Sequence, residues 1–404
     1  MQSMWNEKEA QQYAGDELAL RVYTSRLIGR NGDLVSGGGG NTSLKTDVFT
    51  DTGGRTKVLY VKATGYDLAA IRPDGFSPVR LDEITRLIQL DTMNDEELMS
   101  AFCSALLDSK APAPSIETLF HSIIPFRFVE HTHADAVVAI TNMKDGAQRI
   151  RSIYGDSVIV VPYVPSGFQL AKLIDKTVRD SDWNTIKGII LLHHGVITFQ
   201  DDARESYNRM IWLVTKVEEY LERSGANKAV VYADDPPPPM PTALLECCKN
   251  AVSEIVGFPL YMRYCDSAEA RGFACLPNVE ELAKRGPLVP GHIPLAKRIP
   301  IILHTDVEKD IAQYAADYKA YFERNTDGTQ VMHDPAPRWG ILCGYGLISF
   351  GRTIKEAQAV IEIALHTIRA IQWCEALGGW EPLSEREQFK VEYRTYGITA
   401  TQKK

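Results

Sequence analysis

The chain has 404 residues, 45% of them hydrophobic and 24% charged, enough for two or more domains with full-sized cores and too apolar for a disordered chain. Its 44 Lys and Arg against 52 Asp and Glu give a net charge of −8 with no basic run, so no nucleic-acid partner is expected. No apolar run approaches the roughly 18 residues that span a bilayer, the N-terminus lacks a secretory pattern, and the seven cysteines include no C-x-x-C pair. No membrane partner is expected, and the compartment is read as reducing and cytoplasmic.

In chain order, Val58 to Lys62 is a short apolar run of strand length, and Leu81 to Met93 has helical spacing. Ser115-Ile116-Glu117 reads as a helix start, with Ser115 as N-cap and Glu117 in the first turn. The apolar stretch Ile123 to Val129 leads into Glu130-His131-Thr132-His133. Val158 to Val161 and Gly188 to Leu192 are strand-like, and Asp201 to Arg223 is helical. Four consecutive prolines, Pro236 to Pro239, then stop any helix or central strand. They divide the chain into residues 1–231, a linker at 232–242 and a second domain at 243–404, which carries a strand signal at Ile301 to Leu303 and a helix signal at Val307 to Arg324. Both domains read as mixed α/β. His194-Gly195-Val196-Ile197-Thr198-Phe199 recurs 151 positions later as Tyr345-Gly346-Leu347-Ile348-Ser349-Phe350, again before a helix, which marks the second domain as a degenerate partial copy of the first.

Four segments have residue types that carry chemistry. Ser36-Gly37-Gly38-Gly39-Gly40-Asn41-Thr42-Ser43 presents backbone N–H groups without Cβ obstruction, either as an anion cradle or as a plain surface turn; it fits neither nucleotide fingerprint. His131 and His133 are two apart, on one face of a strand, and with His194 they offer either three ligands with an open coordination position or ordinary polar positions. Glu117 either complements a helix dipole or stands near the same ion.

Taken together, Gly40-Asn41-Thr42-Ser43, Thr64-Gly65, Ser115-Ile116-Glu117, His131-Thr132-His133 and His194-Gly195 resemble the motifs of the class II aldolase/adducin family, in the family's order. Segments such as Val161-Pro162-Tyr163 and Asp334-Pro335-Ala336-Pro337-Arg338 resemble, within it, the aldolase half of bifunctional rhamnulose-1-phosphate aldolase/lactaldehyde dehydrogenase proteins. The resemblance implies a class II aldolase-like α/β/α domain with a central mixed or antiparallel sheet. It implies one divalent ion per chain on His131, His133 and His194, Zn²⁺ first with Co²⁺, Mn²⁺ or Ni²⁺ as alternatives, and Glu117 as catalytic acid/base. Gly40, Asn41, Ser43, Thr64, Gly65 and Ser115 would cradle the substrate phosphate. Ile116 departs from the pattern, since simpler members have a second serine there.

The activity so implied is cleavage of a ketose 1-phosphate to dihydroxyacetone phosphate and an aldehyde. The alternatives are an epimerase, decarboxylase or dehydratase reaction on a phosphorylated or phosphonate substrate, or a non-catalytic adducin-like assembly module. No nicotinamide site is expected. The second domain, with Tyr345 in place of His194, is expected to be non-catalytic. A homo-oligomer, dimer or tetramer, is expected, and a separate dehydrogenase is a candidate partner. His193 is read as a residue facing away from His194 on a strand, His121 as a candidate hydrogen-bond partner of Glu117, and Lys45 and Lys62 as solvated.

Overall fold

A computed structural model of the chain describes residues 1–36, 38–49 and 53–394, so Gly37 of the glycine run lies outside the described residues. Two compact units are present: residues 1–141 with 145–219, and residues 142–144 with 220–394.

The first unit is built on seven strands: β1 Asn41–Phe49, β2 Arg55–Lys62, β3 Phe76–Arg80, β4 Phe128–Thr132, β5 Val158–Val161, β6 Gly188–Leu191 and β7 Gly195–Gln200. Their order is β3-β2-β1-β4-β7-β6-β5, antiparallel throughout except for the parallel pair β5–β6. The sheet is mixed, as expected. Helices α1 Glu17–Gly29, α2 Thr118–Ile123, α3 Phe168–Val178 and α4 Ala203–Arg223 accompany it. The expected helix over Leu81 to Met93 is shorter: Leu81–Arg86 continues as a 3₁₀ turn, Leu87–Gln89, and ends there.

Side chains alternate across a strand, so β4 has two faces. Val129 joins Leu59, Val61, Val79, Ile189, Ile197 and Phe199 in a core that packs Leu119 and Phe120 of α2 and Phe168, Leu170 and Ile174 of α3. His131 shares that face. Glu130 points the other way, where its Oε1 accepts from Arg21 Nη1 of α1 at 2.8 Å, both side chains fully buried. Ser206 of α4 donates to the other carboxylate oxygen. A charged pair held out of water in this way withstands its desolvation only while both partners remain.

The second unit has four strands, β8 Tyr261–Cys265, β9 Ile301–Leu303, β10 Trp339–Leu342 and β11 Gly346–Gly351, with helices α5 Val307–Asn325 and α6 Ile354–Ala376. Their order, β8-β11-β10-β9, is that of β4-β7-β6-β5, with the same single parallel pair. The correspondence extends to single atoms. Thr198 Oγ1 donates to Ser206 O at 3.3 Å, and 151 positions on Ser349 Oγ donates to Ala357 O at 2.7 Å. A Cβ on Gly195 would lie 2.2 Å from Thr132 O, and one on Gly346 would lie 2.2 Å from Cys265 O. The second unit therefore repeats the latter half of the first and, among the described residues, has no counterparts of β1, β2 and β3.

Replacing Glu130 with Leu strands the Arg21 guanidinium in the interior. Urea denaturation should show a loss of about 3–5 kcal/mol, most of it recovered in the R21M/E130L double variant. A loss under about 1 kcal/mol in E130L would show that water reaches the pair.

Candidate metal centre

Three strands in register build the site. Asn41 at the start of β1 pairs with His131 on β4, and His131 pairs with Ile197 on β7. His133 follows the last residue of β4. His194 closes the three-residue loop Leu192-His193-His194 that joins β6 to β7, where Leu191 pairs with Gly195. His193 and His194 are thus turn residues, which corrects their placement on a strand. His193 adopts φ +56°, a left-handed conformation that its counterpart Gly344 adopts at φ +80° without a Cβ. Its ring lies 6.2 Å from that of Tyr163, and burial pushes the imidazole down to about 4, so it stays neutral.

The three expected ligands converge. Ring centroids lie 4.9 Å apart for His131 and His133, 4.8 Å for His131 and His194, and 5.2 Å for His133 and His194. One ligand nitrogen from each falls within 4.8 Å of the others. His131 Nδ1 is 3.2 Å from Val196 O, a carbonyl suited to accept its proton, which leaves Nε2 as the nitrogen able to bind a metal. Burial pushes His131 down to about 4, which keeps it in the neutral form a metal requires.

Glu117 completes the cluster. Its Oε1 lies 3.2 Å from His194 Nε2 and its Oε2 3.5 Å from His131 Nε2, with the side chain only 7% exposed. Burial by itself raises this carboxyl, but the surrounding imidazoles overcome that effect and hold it well below the usual range. Glu117, rather than Ser115, is the N-cap residue of α2, and Ser115 Oγ accepts from Glu117 N at 3.2 Å in the turn before the helix. Three imidazoles and a carboxylate around one point form a donor set that suits a divalent cation such as Zn²⁺.

The expected anion cradle divides. Gly40 takes φ +66° and Gly39 passes under His133, where a Cβ would come within 2.8 Å of Nδ1. Thr64 and Gly65 are exposed at the end of β2, and Thr64 is stitched to the Ser115 segment through Thr64 N to Ala113 O at 3.0 Å and Thr64 Oγ1 to Pro114 O at 3.0 Å. Asn41 faces Glu117 and Ser115, its Nδ2 donating to Glu117 Oε2 at 2.6 Å and to Ser115 Oγ at 3.2 Å. Ser43 is fully buried with its hydroxyl 2.8 Å from His121 Nδ1, away from the cradle. The His121 ring reaches the Glu117 carboxylate through Asn41, whose Oδ1 lies 2.5 Å from His121 Nε2.

Of the two lysines read as solvated, Lys62 is buried and Lys45 is half-buried. Lys62, 5% exposed, places Nζ 3.4 Å from Gly38 O, and burial lowers it to about 8 against the pull of Glu117 and Asp67. Its place two residues before Thr64-Gly65, at the end of an apolar strand, was the available signal. Lys45 donates to Phe126 O at 2.8 Å and is lowered to about 7 by burial.

With this geometry in view, residues 19–221 match the family model described as the class II aldolase and adducin N-terminal domain, and residues 240–395 match the second domain of class II aldolases. The chain belongs to the class II aldolase and adducin family. A Bacillus subtilis (strain 168) protein described as the uncharacterized oxidoreductase YuxG is 30% identical over 411 residues, covering 96% of this chain; the chain spans 59% of that relative's length. The N-terminal class II aldolase domain of a conserved protein from Thermoplasma acidophilum is 38% identical, with a TM-score of 0.50 over 55% of this chain and 99% of that one. Among the described residues no helix is long and apolar enough to cross a membrane.

Because a Cβ at Gly195 meets Thr132 O, Gly195→Ala must push β7, which begins directly after His194, away from β4, which carries His131. Metal analysis of purified G195A should show occupancy well below wild type, whereas G291A, whose Cβ meets nothing within 4 Å, retains it. Full occupancy in G195A would mean that the site tolerates a displaced strand.

Proposed function

We propose that this chain is a divalent-metal-dependent lyase that cleaves a ketose 1-phosphate, of the rhamnulose 1-phosphate kind, to dihydroxyacetone phosphate and an aldehyde. The observation that carries the reading is the buried Glu117 carboxylate set against the converged rings of His131, His133 and His194. These histidines would hold the ion, which supplies Lewis-acid stabilisation of the negative charge left when a C–C bond beside a ketone breaks.

The protein's own residues supply the rest. Glu117, ionised at rest, removes the proton from the carbon that becomes the carbanion in synthesis; in cleavage the proton released by the hydroxyl beside the breaking C–C bond is passed through Glu117 to that carbon. Gly40, Thr64, Gly65 and Ser115 form the anion cradle in this reading, joined by Lys62, whose buried ammonium has one carbonyl contact and charge to spare. Ile116 packs against the apolar core and adds no donor. That absence favours a cradle in which the lysine makes up for the missing serine, and it leaves a phosphonate or a differently seated phosphate, with epimerase, decarboxylase or dehydratase chemistry, as the second reading.

We assign catalysis to a domain of residues 1–231, joined by residues 232–242 to a non-catalytic domain of residues 243–404. Register places Tyr264, Asp266 and Tyr345 where the first unit has His131, His133 and His194, so the copy has no histidine set. A homo-oligomer is part of this reading, as is a dehydrogenase partner, since the longer relative bears an oxidoreductase name.

The test joins metal analysis to turnover. Wild type should carry about one divalent ion per chain, H131A/H133A none, and ketose 1-phosphates should release dihydroxyacetone phosphate in a coupled assay. E117Q should keep its metal and lose about 10²- to 10⁴-fold in kcat. A metal-loaded wild type inert on every ketose phosphate would sink the lyase reading, and metal-free wild type after reconstitution would favour the assembly module.

A further inference from the structure

We infer that His121 is a positioning residue for Glu117, acting through the side chain of Asn41; this deepens the reading above and rests on Glu117 as the group that handles the proton. The direction of each bond follows from the one beside it. The carboxylate can only accept, so Asn41 must present its amino group to Glu117 Oε2, at 2.6 Å. Its carbonyl oxygen then faces His121 Nε2 at 2.5 Å, and that nitrogen must donate. His121 is therefore the neutral Nε2–H tautomer, whose bare Nδ1 accepts from the Ser43 hydroxyl at 2.8 Å.

The relay joins two rigid elements. Asn41 and Ser43 stand two apart on β1, facing the same side, while Glu117 and His121 are one turn apart at the start of α2. His121 and Ser43 are fully buried, so neither meets substrate. Both hydrogens of the Asn41 amide are committed, to Glu117 and to Ser115 Oγ at 3.2 Å, and without the His121 donor the amide could rotate and offer its oxygen to the carboxylate instead. The network thus fixes Oε2 and leaves Oε1 facing His194.

His121 also stacks on Phe120, with ring centroids 4.6 Å apart, so a plain packing role has to be separated from the relay. His121→Phe keeps a ring and removes the donor; His121→Gln keeps an amide donor near the Nε2 position. With metal loaded and kinetics measured on whichever ketose phosphate the wild type cleaves, H121F should lose about 10- to 100-fold in kcat with little change in KM, and H121Q should recover most of it. Crystal structures provide a readout independent of turnover: in H121F the Asn41–Glu117 contact is lost, and in H121Q it persists. Wild-type kinetics and an intact contact in H121F, or equal impairment of both variants, would overturn the positioning role. If the wild type is inert on every substrate, the lyase reading fails and the crystal structures alone decide the relay. Should H121F fail to fold, Ser43→Ala removes only the hydroxyl that sets the tautomer. A smaller fall in kcat at unchanged KM supports the relay, and unchanged kcat overturns it.

Discussion

The register of β4 between β1 and β7 is the constraint on which everything else in the first unit rests. With Asn41 opposite His131 and His131 opposite Ile197, the imidazole emerges on the face that carries α2, where Glu117 and His121 wait. A slip of one residue would turn His131 into the layer occupied by Arg21 and bring Glu130 to the ligand position, because side chains alternate with a period of two. The buried Arg21–Glu130 pair opposes that slip. Each charge is satisfied only in the observed register, so a pair that adds little net stability still contributes strongly to choosing one pairing over its neighbour.

Much of this was legible in the residues. Short apolar runs located β2, β5 and β6, helical spacing located α4, and the ordered motifs picked out the three histidines whose rings converge beside Glu117. What could not be read were quantities set by tertiary packing. Lys62 ends the apolar run from Val58 and stands close before Thr64-Gly65, a local hint of its position, but nothing nearby in sequence says that Gly38 and Glu117 are its neighbours. Ser43 sits in a motif associated with phosphate, yet strand alternation turns it towards His121, a residue 78 positions away. The tight turn at His193 escaped detection because histidine is a poor signal for a left-handed backbone, whereas Gly344 at the corresponding point of the copy announces it.

The second unit shows which parts of the site belong to the fold. Strand order, the single parallel pair, the three-residue hairpin and the hydroxyl-to-carbonyl bond into the following helix all recur, while the histidines do not. The hydrophobic register and turn geometry of the copy persist because they bury its core of Ile301, Leu303, Ile348 and Phe350. Ligand residues bury nothing that a tyrosine or an aspartate could not.

The close approach at Gly195 and Gly346 separates two kinds of information within one dipeptide. Both glycines lie against a carbonyl of the neighbouring strand, and only one is preceded by a histidine. The glycine of a His-Gly pair in this architecture therefore reports how near two backbones run, and the histidine alone reports chemistry. The skeleton of such a unit is thus specified by residues other than those that could hold a metal, and the two can vary independently.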